Sequence, residues 1–321
     1  MKISKKTGYR KIFRTAAAAA VILIMLSMLC GCAEIKIGSG LSDDILFELN
    51  ELECPVSVGM LALFDAKYEY ESTENDILWE RNVGSVSMDE YVKNSVKYEM
   101  IRDTACQLMA NELTVFLDDE DMLQLNDEAE KLYNKLSARY DLAKYGISLT
   151  DAEQLIKKRT FYDKVYAKLS ENISMEISDS YTKVICIDQL LVPLELGYEA
   201  AEAYRGELKA GNDFEKVCTA IGLEADINVV VKRGDLPSEI EDVAYALKDD
   251  EISEVIQTED GYYIIHCVED YMVSESVAHS NEVLSEARRE KFEEAYTQFA
   301  AKTKISFNDK VWDEINIKDI G

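Results

Sequence analysis

The chain has 321 residues, 62 Asp/Glu against 35 Lys/Arg, a formal charge of −27 and seven cysteines. That length holds one or two domains with real cores, and so diffuse a negative charge excludes a binder of nucleic acid or anionic headgroups. No phosphate loop, G-x-S-x-G or H-E-x-x-H phrase occurs, and Cys54, Cys106, Cys186, Cys218 and Cys267 form no C-x-x-C pair. No metal, cofactor or nucleophilic triad is therefore expected.

The first 31 residues carry six bases (Lys2, Lys5, Lys6, Arg10, Lys11, Arg14) and no acid. An apolar run from Ala16 to Leu26 follows, continuing through Met28 and Leu29 but short of the about 18–20 residues of a membrane span. Residues 1–31 therefore read as a secretion signal. Leu29–Cys30–Gly31–Cys32 resembles a bacterial lipobox, with Cys32 as the acylated first residue of the mature chain; an ordinary cleaved signal is the alternative. Processing leaves 290 residues with a charge of −33, held by lipid to the extracytoplasmic face of the cell membrane. Residues 32–43 form a polar tether.

Residues 44–182 read as a helical lobe. Leu46–Cys54 is a short strand or turn, and Val58–Tyr70 an amphipathic helix. Ser87 and Glu90 form a capping box for a helix with Val92, Val96, Met100, Ala105, Leu108 and Leu113 on one face. Asp118–Glu120 place acids in the first turn of the next helix, with Leu125, Ala129, Leu132 and Leu136 inward and Gly146 as its stop. Thr150 and Glu153 cap a third, in which Leu155, Tyr162, Val165 and Leu169 recur.

Residues 183–271 change character. Strand patterns at Val184–Val192, Asn228–Lys232, Glu254–Thr258 and Tyr262–Val268 alternate with helical patterns at Glu195–Leu208, Phe214–Ile221 and, after a Ser238/Glu241 capping box, Ile240–Leu247. The unit is α+β, a small antiparallel sheet covered by helices. If Gln189 lies opposite Tyr263, Cys186 and Cys267 fall on opposite faces, and all five cysteines are expected as buried free thiols. Residues 272–321 supply one more amphipathic helix, Asn281–Thr303, with Leu284, Phe292, Ala295 and Phe299 inward, and a short tail. That stripe is exposed unless it packs back on the N-terminal helices, so both chain ends should build one lobe.

Four phrases in order carry a family resemblance: Gly211–Asn212–Asp213–Phe214, the run Arg233–Leu247, Glu251–Ile252–Ser253, and Gly261–Tyr262–Tyr263–Ile264–Ile265. The segment resembles the parvulin-type peptidyl-prolyl isomerase domain. The whole layout, helical lobe from both ends with that domain inserted, resembles the extracytoplasmic foldases of the PrsA and SurA type. The resemblance implies catalytic positions at Gln189, Tyr263 and, as the nearest acid, Glu224. It implies a proline pocket from Leu236 and Ile240, with Leu191 and Ile265 completing the apolar lining. Gln189 and Tyr263 stand where the family has histidines, and Ala225–Asp226–Ile227–Asn228–Val229 replaces a glycine-rich stretch. Whether the unit is an enzyme is left open by those departures.

Three functions compete. The first is a lipid-anchored holdase for unfolded secreted polypeptides, its parvulin-like unit of weak or no isomerase activity. The second is a working prolyl isomerase acting on X–Pro bonds of such chains. The third is a non-catalytic envelope lipoprotein with one specific partner. A homodimer is left open, and His266 and His279 are expected to be ordinary residues.

Overall fold

The computed structural model describes residues 41–73, 78–171, 173 and 179–321. The secretion signal, the lipobox with Cys32 and most of the tether lie outside the described residues. Strand and helix are mixed, with helices in the majority and small antiparallel sheets, so the fold is α+β. The chain divides into two compact units: residues up to Ser170 together with Lys291–Gly321, and Glu171–Glu290. No described helix is long and apolar enough to cross a membrane.

The first unit begins with a hairpin. β1 (Ile45–Leu49) folds back on β2 (Leu52–Pro55) through a tight turn in which Asn50 takes φ 54. Asn tolerates that left-handed conformation better than a branched residue would. α1 (Val56–Thr73) runs directly out of β2, and its Val58, Leu61, Leu63 and Phe64 are almost fully buried. The two-residue strands β3 (Asn82–Val83) and β4 (Val86–Ser87) lead into α2 (Met88–Glu112), where the Ser87 side chain accepts the Glu90 N–H, one half of the expected capping box. α3 (Asp119–Ser137) starts at an Asp118/Asp121 capping box and buries Leu125, Ala129, Leu132 and Leu136. α4 (Leu149–Leu169) is capped by Ser148 with Asp151, two residues ahead of the expected Thr150 and Glu153. Gly146 ends a short 3-10 turn rather than α3 itself.

In the second unit β5 (Ile185–Val192) is central. After it come α5 (Tyr198–Lys209), α6 (Phe214–Ile221), β6 (Ala225–Val231), α7 (Ser238–Ala246), β7 (Ile256–Gln257) and β8 (Tyr262–Glu269), and the sheet order is β6-β5-β8-β7. Both faces of this antiparallel sheet are covered. Leu190, Val192, Tyr262 and Ile264 pack with Ala201, Leu208, Phe214 and Cys218 of α5 and α6. Ile185, Ile187, Val231 and Ile265 pack with Ile240, Ala244 and Tyr245 of α7 on the other side.

α8 (Val273–Ala300) starts eight residues before the expected Asn281. Its last turns belong to the first unit, where Phe292 is 1% exposed among Cys106, Met109, Ala110 and Val165, with Ala295, Tyr296 and Phe299 beside it. Leu284 is half-buried and lies outside that cluster. β9 (Ile305–Phe307) then pairs with β1, placing Phe307 opposite Phe47 with the rings stacked at 6.0 Å. α9 (Asp309–Asp313) is capped by Asn308, and Trp312, Ile317 and Ile320 enter the same core as Phe47 and Phe64. All five cysteines of the described residues are buried and free.

Candidate functional site

The sheet face under α7 gathers most of the expected site residues. Alternation along β5 brings Ile187, Gln189 and Leu191 to that face, and along β8 Tyr263, Ile265 and Cys267. The register pairs Gln189 with Ile265 and Leu191 with Tyr263, so Gln189 and Tyr263 share a face but stand two residues out of direct opposition. Ile256 of β7 pairs with Tyr263 on the far side.

Leu236 is held over this face by a turn built from Arg233–Gly234. Gly234 has φ 90, which favours glycine. Its N–H is accepted by Glu241, whose other oxygen pairs with Arg233 at 3.3 Å. The Arg233 guanidinium lies 3.7 Å from the Tyr245 ring centroid. Glu241 is thereby engaged with the turn, and the N-cap of α7 falls on Pro237 with no side-chain cap, not on Ser238. Leu236 is half-buried on the cluster that Ile256 and Tyr263 also join, while Ile240 and Ile265, 2% and 0% exposed, are floor rather than accessible lining. Leu191, 37% exposed, forms the open edge. Gly261 closes that edge: a Cβ there would lie 2.5 Å from the Val192 carbonyl oxygen.

The polar part of the site is a pair. Gln189 Nε2 donates to Asp226 Oδ2 at 2.9 Å, which fixes the amide's orientation. Gln189 Oε1 is buried and has no hydrogen-bond partner among the described residues. Such an orphaned acceptor costs about 1–3 kcal/mol. Burial, then the Asp260 and Asp226 carboxylates, push the Tyr263 phenol above its ordinary value, so it stays a neutral donor. Glu224 lies one residue before β6 and is exposed, and the acid that meets Gln189 is Asp226. A regular strand would hide this. Ile187 pairs with Val229, yet Gln189 pairs with Asp226, because β6 carries one extra residue at this point. Asn228, with φ 52, is the signal for such a bulge. His266 faces the opposite side, where its Nδ1 lies 2.9 Å from Asp188 Oδ2.

The arrangement contains no nucleophile–base pair. It offers an apolar strip, a phenol donor and an exposed carboxylate, suited to binding a peptide and relaxing an amide rather than to bond cleavage.

Comparison with known families accounts for this unit. The family model of the PPIC-type PPIASE domain matches residues 189–269. Foldase protein PrsA of Clostridium botulinum (strain Loch Maree / Type A3) is 24% identical over 255 residues, covering 69% of this chain and 74% of that protein. The protein of that name from Geobacillus kaustophilus (strain HTA426) is 24% identical over 238 residues, 70% of this chain and 82% of its own. The chain is similar to these foldases, at 24% identity over about two thirds of its length. Among solved structures, PrsA of Bacillus cereus covers 68% of this chain and 88% of its own at 18% identity, with a TM-score of 0.30. For PrsA of Lactococcus lactis the shares are 84% and 96%, at 11% identity and a TM-score of 0.32. At TM-scores this low the solved structures add nothing to the sequence similarity.

Proposed function

We propose that this protein is a membrane-anchored extracytoplasmic folding factor of the PrsA type. It holds unfolded or partly folded secreted polypeptides, and its PPIC-type unit contributes a binding groove of weak or no isomerase activity. The anchor is a lipid on Cys32. The observation that carries the reading is the sheet face under α7: Leu191 pairs with Tyr263, Leu236 and Tyr263 pack on one apolar cluster, and Gln189 shares the face and donates to the exposed Asp226. An extended chain offers apolar side chains for the strip and a backbone carbonyl for the Tyr263 phenol. Isomerisation asks for more. The twisted amide must be bound better than either planar form, and a misplacement of about 1 Å costs about 100-fold in rate. Glutamine and tyrosine stand where the resemblance implies two imidazoles, which changes the donors and acceptors available to the turning bond.

The Asp226–Gln189 pair favours a second reading, an active prolyl isomerase, because it supplies an acid at the groove. Protease-coupled or NMR exchange on X–Pro peptides, run on the full chain, separates the two. We expect turnover within about tenfold of the uncatalysed rate and suppressed aggregation of several unrelated unfolded proteins. Robust catalysis that collapses in Y263F, Q189A or D226N makes the second reading correct. Protection of one partner alone makes both wrong.

A further inference from the structure

The groove depends on a carboxylate it never meets. Counting from the Ile187–Val229 pair, an unbroken ladder puts Asn228 opposite Asp188 and Ile227 opposite Gln189. Ile227 would then enter the groove and Asp226 would turn into the apolar layer under α5 and α6. Instead Gln189 pairs with Asp226 and Leu190 with Ala225, and Ile227 packs with that apolar layer. The extra residue leaves a backbone N–H outside the ladder. Asp188 takes it: its Oδ1 accepts the Asn228 N–H at 2.8 Å.

Asp188 is itself held. It is the ladder partner of His266, and with its side chain 8% exposed its Oδ2 lies 2.9 Å from the His266 Nδ1. Facing a carboxylate, an acceptor, Nδ1 is the ring nitrogen that bears hydrogen. The imidazole in turn stacks on Phe214 of α6, centroids 6.0 Å apart and planes 20° apart. Its Nε2 faces outward, 4.0 Å from the exposed Asp250. The chain of contacts therefore runs from α6 through His266 and Asp188 to the bulge, and the bulge decides which β6 side chain stands beside Gln189.

We infer that Asp188 and His266 are positioning residues for the groove on the other side of the sheet, holding the β6 bulge that brings Asp226 to Gln189. This rests on the reading of that face as the polypeptide-binding groove.

The test uses the full chain in detergent micelles, 15N-labelled. H266F keeps the ring on Phe214 and removes Nδ1. H266N restores an N–H near the position of Nδ1. D188A removes both acceptors, and D188N keeps one. The readouts are exchange of the Asn228 backbone amide, the side-chain amide signals of Gln189 and the affinity for an X–Pro peptide. In H266F and D188A, Asn228 exchange should quicken about tenfold, the scale of one lost hydrogen bond to a charged group, and the Gln189 signals should move toward those of a free amide. H266N and D188N should restore both, and peptide affinity should follow the Gln189 signals. Unchanged Asn228 exchange and Gln189 signals in H266F overturn the inference. So does a uniform loss of protection across β5 and β8 that H266N fails to rescue, since that marks a merely stabilising pair. If D188A does not fold, H266F against H266N decides alone. If the signals move as expected while peptide affinity stays constant, the positioning stands and the groove reading fails.

Discussion

Phe292 is the side chain through which the late helix joins the N-terminal helices, and its removal has a calculable consequence. It is 1% exposed, with ring centroids 5.2 Å from Tyr162, 5.5 Å from Tyr166 and 5.9 Å from Tyr296. Truncating a buried Phe to Ala costs about 3–5 kcal/mol in transfer and cavity terms. The upper half of that range applies here, since each aromatic pair adds about 0.5–1.5 kcal/mol beyond area. For a unit of this size about 2–4 °C accompany each kcal/mol, so F292A should lower the melting temperature of the first unit by about 8–20 °C. Two units need separate probes, and hydrogen exchange supplies them. Amides of Cys106–Ala110 and around Val165 should lose protection, while those of Ile185–Val192 and Ile264–Cys267 keep theirs. A loss under about 1 kcal/mol, or equal losses in both units, would refute the docking of the C-terminal helix as the source of the stability.

Asn228 holds φ 52, so N228G should be neutral or slightly stabilising, whereas N228V should cost about 1–2 kcal/mol by urea unfolding. Asp103 is raised to about 6 because burial outweighs the adjacent Arg102 guanidinium. A raised carboxyl stabilises the fold while protonated and loses that contribution as pH climbs through about 6. Stability of the first unit should therefore gain about 1–3 kcal/mol from this group between about pH 7 and 4. D103N should flatten that slope, and an unchanged slope would discount the buried carboxyl. C32A should leave the protein unprocessed or release it from the membrane fraction, and unchanged acylation and fractionation would remove the lipid anchor.

The sequence was most legible where one strong local signal had no rival. Ser87 caps its helix through the Glu90 N–H, and the helix Phe214–Ile221 has the bounds its periodicity foretold. Where two signals competed, the reading slipped. Ser148–Asp151 outbids Thr150–Glu153 by two residues, and Glu241 serves the Gly234 turn instead of capping α7. Val273–Ser280 has only Val273 and Val277 as large apolar residues, and they are 61% and 55% exposed, so no buried stripe marks the true start of α8. At the site, Gln189, Tyr263 and Leu236 were singled out by the family resemblance, and the structure brings Gln189 and Tyr263 to one sheet face. Asp226 was not, because strict alternation assigns it to the wrong side, and only a left-handed Asn228 reverses that. β9 has three residues, too few for any periodicity to announce.

That last strand has a consequence for how the molecule comes into being. Phe47 waits for Phe307, and the core around Phe64 waits for Ile317 and Ile320. A chain emerging N-terminus first thus makes its host unit last. The 171–290 unit is contiguous, so it can be complete while the free edge of β1 is still unpaired, and such an edge invites mispairing. Closing a loop of that span is slow, since distant contacts must form before they reward the chain. Until its final residues are out, the protein is itself an incompletely folded polypeptide of the kind it is proposed to hold.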